Sequence, residues 1–183
     1  MNVIGFDDAP FERLHRGDVP LVGVICSRTR VDGILVSKVR RDGANSTRAM
    51  AAMLRRSQFV SHVRAVLLQG IAVGGFNVVD IHALHAELGI PVIATARRMP
   101  DYPSMKKALY SRVGGADRKW RLIEAAGPME KVRGIFIQRA GITVDHARDV
   151  LAATTLHGNL PEPLRLAHLI AGAMVTGVSR GGA

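Results

Sequence analysis

The sequence predicts a mixed α/β fold, with one sheet of antiparallel and parallel strands covered by helices. Three observations carry this. Residues 2–40 hold three apolar, β-branched-rich runs separated by turn chemistry. Residues 45–97 alternate between helical and extended periods. No apolar stretch reaches the ~20 residues needed to span a bilayer.

The first run, NVIGFD, reads as a short buried strand ending at Asp7 and Asp8. VPLVGVICSR and GILVSKVR follow, separated by TRVDG, whose Asp32-Gly33 pair is a hairpin-turn signal. NSTRAMAAMLRRSQF then opens with Asn45, Ser46 and Thr47 as candidate N-caps and continues with good helix formers. VRAVLLQG is a fourth strand ending at Gln69-Gly70. A small-residue loop with Gly74-Gly75 follows, and a helical pattern starts at Phe76 and stops at Gly89. IPVIATAR is the fifth strand. The order β-β-β-α-β-α-β favours antiparallel pairing first and parallel pairing with right-handed crossovers afterwards. From about residue 102 the chain reads as helices around one short strand, GIFIQRAG, closed by the helix PEPLRLAHLIAGAM after Pro161. With no repeat, low-complexity segment or linker, residues 1–183 are expected to form one domain with a helical C-terminal part.

Hydrophobic residues make up 48% of the chain and aromatics only 4%, so the core must be aliphatic. Twenty-five basic residues against fifteen acidic ones give a net charge of +10. That balance favours polyanions, nucleic acid first; the alternative is a proteome that uses arginine freely. Cys26 is the one cysteine, which excludes an intrachain disulfide and suits a small buried hydrophobe. Asp7 and Asp8 interrupt any secretory pattern at the N-terminus. LAHLIAGAMVTGV is too short to span a membrane and carries His168. A cytoplasmic protein without a membrane segment is expected.

Functional groups of such sheets gather outside the strand ends. Asp7 and Asp8 end the first strand, Asp42 follows the third, and Gln69 ends the fourth. Clustered carboxylates there would bind Mg²⁺ or Mn²⁺, and two such ions can hydrolyse a phosphodiester. Equally, Asp8 can open a loop and Asp42-Gly43 can be a plain turn. The loop GIAVGGF could cradle a phosphate on backbone N–H groups, although its glycines also serve a tight turn. Arg40, Arg41, Arg97 and Arg98 would flank the acidic pocket if their strand ends share a side. His82 and His85, three residues apart, lack a third ligand.

IGFDDAPF, VGVICSRTRVDGILVSKVRRDGANST, VLLQGIAVGGFNVVDI, IPVIATARRMPD and LPEPLRLAHLIAGAM together resemble the family known as domain of unknown function ninety-nine, over nearly the full chain. That family is similar to endonuclease V. The resemblance implies a ribonuclease H-like fold with a five-stranded mixed sheet, and Mg²⁺-dependent cutting of a phosphodiester near a deaminated base. It carries the catalytic and metal positions onto Asp7 and Asp42, with Asp8 or Asp80 as further carboxylates. The aspartate that ends the fourth strand in endonuclease V falls on Gln69, which keeps an oxygen but removes a charge. Gly70, Gly75, Phe76, Asn77, Arg97 and Arg98 are the expected substrate contacts, with helix capping as the alternative role of Asn77. Three functions follow: a metal-dependent endonuclease, a nucleic-acid-binding protein of the same fold with impaired cleavage, or a scaffold.

Overall fold

The structure, a computed structural model, describes residues 1–179; the last four residues of the expected domain lie outside it. β1 (Asn2–Asp8), β2 (Asp18–Ser27) and β3 (Arg30–Arg40) form the antiparallel meander. α1 (Ser46–Arg55) leads to β4 (Val63–Gln69), parallel to β1. A small hairpin of β5 (Ala72–Val73) and β6 (Asn77–Val78) precedes α2 (Ile81–Leu88) and β7 (Val92–Ala96), which is parallel to β4. α3 (Tyr102–Arg112), α4 (Ala116–Ala125), β8 (Glu130–Val132), β9 (Ile135–Ala140), α5 (Val144–Thr154) and α6 (Glu162–Thr176) follow. The main sheet has the order β3-β2-β1-β4-β7-β9-β8.

Three sequence expectations change. The sheet has seven strands rather than five, because β9 pairs antiparallel with β7 from Val92–Ala140 to Ala96–Phe136 and β8 pairs with β9. Without them β7 would present an open row of backbone donors and acceptors. The turn between β2 and β3 falls at Arg28-Thr29, with Arg28 at φ 57°, whereas Asp32-Gly33 lies inside β3 at a register shift. Gly33 is needed there because a Cβ would stand 2.4 Å from the Phe59 ring. Finally, the helix expected from Phe76 begins only at Ile81, since the preceding residues build β6 and a cap.

Strand alternation sorts the core onto two faces. Ile4, Phe6, Val66 and Leu68 pack with Met50 and Leu54 of α1 and with Ile81 and Leu84 of α2. Val3, Ala65, Leu67 and Ile93 face α5 and α6 on the other side. Val22, Val24 and buried Cys26 meet Ala167 and Ala171 of α6. Among the described residues no helix is long and apolar enough to cross a membrane.

Helix α6 reaches the sheet through Gly5. A Cβ on Gly5 would lie 2.5 Å from the Pro163 carbonyl carbon and 2.7 Å from the Leu164 nitrogen. Glycine thus sets the distance between helix and strand. Replacing Gly5 by Ala is expected to destabilise the protein by about 1–3 kcal/mol, because the overlap is with backbone. Gly172 of α6 has open space at its Cβ position, so Gly172→Ala should instead stabilise by roughly 0.5–1 kcal/mol. Urea unfolding of the two variants checks both signs.

Candidate active site at the carboxyl ends of the strands

β1, β4 and β7 run parallel, and β3 runs with them because both β1 and β3 are antiparallel to β2. Their carboxyl ends therefore share one end of the sheet. That end collects Asp7 and Asp8, Arg40 to Asp42, Gln69 and Gly70, and Arg97 and Arg98. The carboxylates are then divided between the two faces, because consecutive strand residues point opposite ways.

Asp7 lies on the α6 face with Gly5. Along the strand it is two residues, ~6.6 Å, beyond Gly5. One helical turn beyond Leu164, ~6 Å along α6, stands His168. The two advances match, and His168 Nδ1 lies 2.8 Å from Asp7 Oδ2. Asp7 is 5% exposed. Burial and the nearby charge of Asp8 push its carboxyl up to about 6, against the hydrogen bond and charge of His168, which pull it down. Gln69 stands on the same face of β4, one residue past the Phe6–Leu68 pair. Its Oε1 is buried without a hydrogen-bond partner. Such an orphan costs about 1–3 kcal/mol, and the strand register sets Gln69 next to Asp7. The sequence offered one signal for His168, the one titratable side chain within the apolar stretch LAHLIAGAMVTGV.

Asp8 and Asp42 serve the other side. Asp8 Oδ2 accepts from Gly74 N–H at 3.0 Å, and burial raises its carboxyl. Asp42 sits at φ 51°, a left-handed conformation that Asp tolerates. Its N–H donates to Gly74 O at 2.8 Å, and its Oδ1 accepts from Phe76 N–H at 2.8 Å. Its Oδ2 lies 3.3 Å from Arg41 Nε, close enough to pair but out of line for a hydrogen bond there. Lys119 of α4 donates to its carbonyl. Gly75 at φ 80° leaves the room that Asp42 needs, since a Cβ would be 2.4 Å from Asp42 Oδ1. Two carboxylates thus clamp the loop 70–76 onto the sheet end.

The remaining candidates have defined places. Asn77 caps α1 rather than its own helix: its buried Oδ1 accepts from Ser46 N–H at 3.0 Å, and its Nδ2 donates to Arg40 O and Asn45 Oδ1. Asp80 is the N-cap of α2, with Oδ1 accepting from Ala83 N–H at 2.9 Å. Phe76 packs beside Leu109 and Ile123. Gly70, at φ 89°, donates to Thr95 O. Arg97 and Arg98 are exposed just past β7. His82 and His85 bond to different carbonyls, Ala125 O and Ile90 O.

Among the described residues no group of three or more His, Cys, Asp or Glu side chains gathers as a metal cage. The unpartnered Oε1 of Gln69, a residue next to Asp7 in strand register, is nevertheless an oxygen donor of the kind Mg²⁺ takes, and that ion is often held by one or two carboxylates plus waters and substrate phosphates. One carboxylate and one amide oxygen are a donor set chemically compatible with such an ion.

The raised Asp7 value fixes a sign. The folded state holds the Asp7 proton more tightly than the unfolded chain, so this group contributes stability below about pH 4 that is lost as pH rises through about 6. In metal-free protein the stability of Asp7→Asn relative to wild type should grow by on the order of 2 kcal/mol between pH 4 and 6, then level off. Urea midpoints across that range in a chelator test this; a constant difference would refute it.

The profile of the endonuclease dU family matches residues 1–175. A UPF0215 protein of Deinococcus radiodurans is 46% identical over 98% of this chain and 92% of that protein. A protein of unknown function from Archaeoglobus fulgidus has a similar crystal structure, with TM-score 0.90 and 33% identity over 96% of this chain and 99% of that one. Endonuclease V of Ciona intestinalis, crystallised with a 24mer DNA containing an inosine followed by a ribo-adenosine, gives TM-score 0.58 at 14% identity over 91% and 82% of the chains. At that identity the likeness is one of fold, here the ribonuclease H-like fold of endonuclease V. With a profile match over nearly its whole length and a close relative covered almost end to end, the chain belongs to the endonuclease dU family.

Proposed function

We propose that the protein is a divalent-metal-dependent endonuclease that cuts a DNA phosphodiester near a deoxyuridine. The observation that carries the reading is the unpartnered Oε1 of Gln69, next in strand register to Asp7, which is itself held by His168, at the strand ends. The base is taken from the name of the family. The DNA bound by the Ciona enzyme of the same fold and the net charge of +10 support nucleic acid as the substrate.

In this reading Asp7 and Gln69 hold one Mg²⁺ or Mn²⁺, with the substrate phosphate completing the shell. The ion, when bound, supplies an activated water and charge for the leaving oxygen. His168 is a positioning residue, donating from Nδ1 to ionised Asp7 so that the other carboxylate oxygen faces the substrate. Asp42 and Asp8 hold the loop of Gly70, Gly75 and Phe76 through their bonds to Gly74 and Phe76, as one wall of the site, and Arg97 and Arg98 steady the phosphate. Asn77 and Asp80 contribute through the helices they cap.

A second reading rests on the missing charge. An amide at residue 69 leaves one carboxylate for the ion, and charge count tunes the affinity for hard cations. On that reading the protein binds nucleic acid and cleaves it poorly.

Cleavage of deoxyuridine-containing duplex in Mg²⁺ separates the two. The enzyme reading expects turnover by wild type, a loss of roughly 100-fold or more in Asp7→Ala, and a 10–100-fold loss of apparent Mg²⁺ affinity in His168→Ala, in about the range for an outer-shell ligand. Gln69→Asp should raise Mg²⁺ affinity in both readings. Cleavage that appears only in Gln69→Asp would favour the second, and wild-type turnover unaffected by Asp7→Ala would overturn the site.

A further inference from the structure

We propose that the loop between β1 and β2, residues 9–17, is the duplex clamp of this site: its arginines grip backbone phosphates and Leu14 lodges against the base stack. This rests on the nucleic-acid reading above and adds a binding surface to it. The loop reads Ala-Pro-Phe-Glu-Arg-Leu-His-Arg-Gly and leaves β1 directly after Asp8.

The loop is a built structure. Ala9 N–H donates to Pro20 O, and Arg41 N–H donates to Gly17 O at 2.8 Å. The Arg41 guanidinium donates to His15 O and lies 5.2 Å from the Phe11 ring centroid. His15 turns its ring to Asp18 O at 2.9 Å, and Phe11 packs against the core. Arg41 also faces Asp42, so the same side chain ties the loop to the clamped wall of the site.

What this frame presents outward is charged and apolar together. Arg13, Arg16, Arg40 and Arg41 line one cleft of about 380 Å³ with Leu14 and Asp42. Arg41 is spent internally. Arg13, Arg16 and Arg40 are exposed and form no ion pair among the described residues. Glu12 is the loop's single carboxylate. Three unpaired guanidinium groups around one cleft repel one another, and a run of phosphates relieves that. Leu14, which lines the same cleft, is 87% exposed. A lone surface leucine needs no explanation, but an apolar tip between phosphate-binding arginines is the pattern by which proteins wedge into a base step.

The test is binding of a duplex with a central deoxyuridine and an adjacent 2-aminopurine, in a chelator, across a salt series. Arg13→Ala/Arg16→Ala is expected to bind on the order of tenfold or more weakly and to lower the salt slope by about 2. Leu14→Ala should keep the slope and lose the rise in 2-aminopurine fluorescence that marks unstacking. Arg148→Ala, on α5, should match wild type. If wild type binds and the double variant keeps its affinity and slope, the clamp is overturned while the nucleic-acid reading survives. An unchanged fluorescence rise in Leu14→Ala overturns the wedge. Failure of wild type to bind removes both readings. All three side chains of the two loop variants are exposed, and unchanged unfolding midpoints confirm an intact fold.

Discussion

The approach of α6 to β1 at Gly5 is the constraint on which the site depends. A strand advances ~3.3 Å per residue and a helix ~1.5 Å. Once Leu164 is seated over Gly5, His168 and Asp7 arrive at the same height. Any side chain on residue 5 would lift the helix from the strand and separate the pair. A residue without chemistry of its own therefore determines whether the buried carboxylate has a partner.

The opposite face of the sheet end follows a different logic. Asp8, Asp42 and Asn77 spend their polar atoms on backbone groups of loop 70–76 and of α1. Loops that carry chemistry must have their backbone groups satisfied without regular secondary structure. Here carboxylates satisfy them, with Gly74 and Gly75 letting the backbone come close. Asp42 is tied in turn to α4 through Lys119 and to the β1–β2 loop through Arg41. The acidic residues near the strand ends thus have two duties: Asp7 pairs with His168 on the α6 face, and Asp8 and Asp42 hold the wall on the other.

The charge of the site follows from this division. Asp7 is buried, close to Asp8, and carries a carboxyl pushed up to about 6. Gln69 adds an oxygen without adding charge. A second carboxylate in its place would crowd another negative group against two that burial already disfavours. The amide avoids that repulsion.

Much of the fold was legible in the sequence because it is written in local periodicity. The three β-branched runs, the switch to helical spacing at Asn45, and Gly89 as a helix stop all correspond to observed elements. Asp7 and Gln69 were legible as strand-end residues. What the sequence alone did not contain were the long-range pairings. Asn77 reads as a cap for its own helix, yet it caps α1 across a separation of thirty-one residues. Asp80 reads as a residue one turn into a helix and proves to begin it. His168 is 161 residues from Asp7 and follows no motif. Hydrophobic pattern and turn chemistry are properties of neighbouring residues, so the sequence by itself determined the elements, the basic charge and the strand ends. Which side chains face each other there depends on strand order, on the alternation of faces and on the Gly5 contact with α6, and only the tertiary structure decided that.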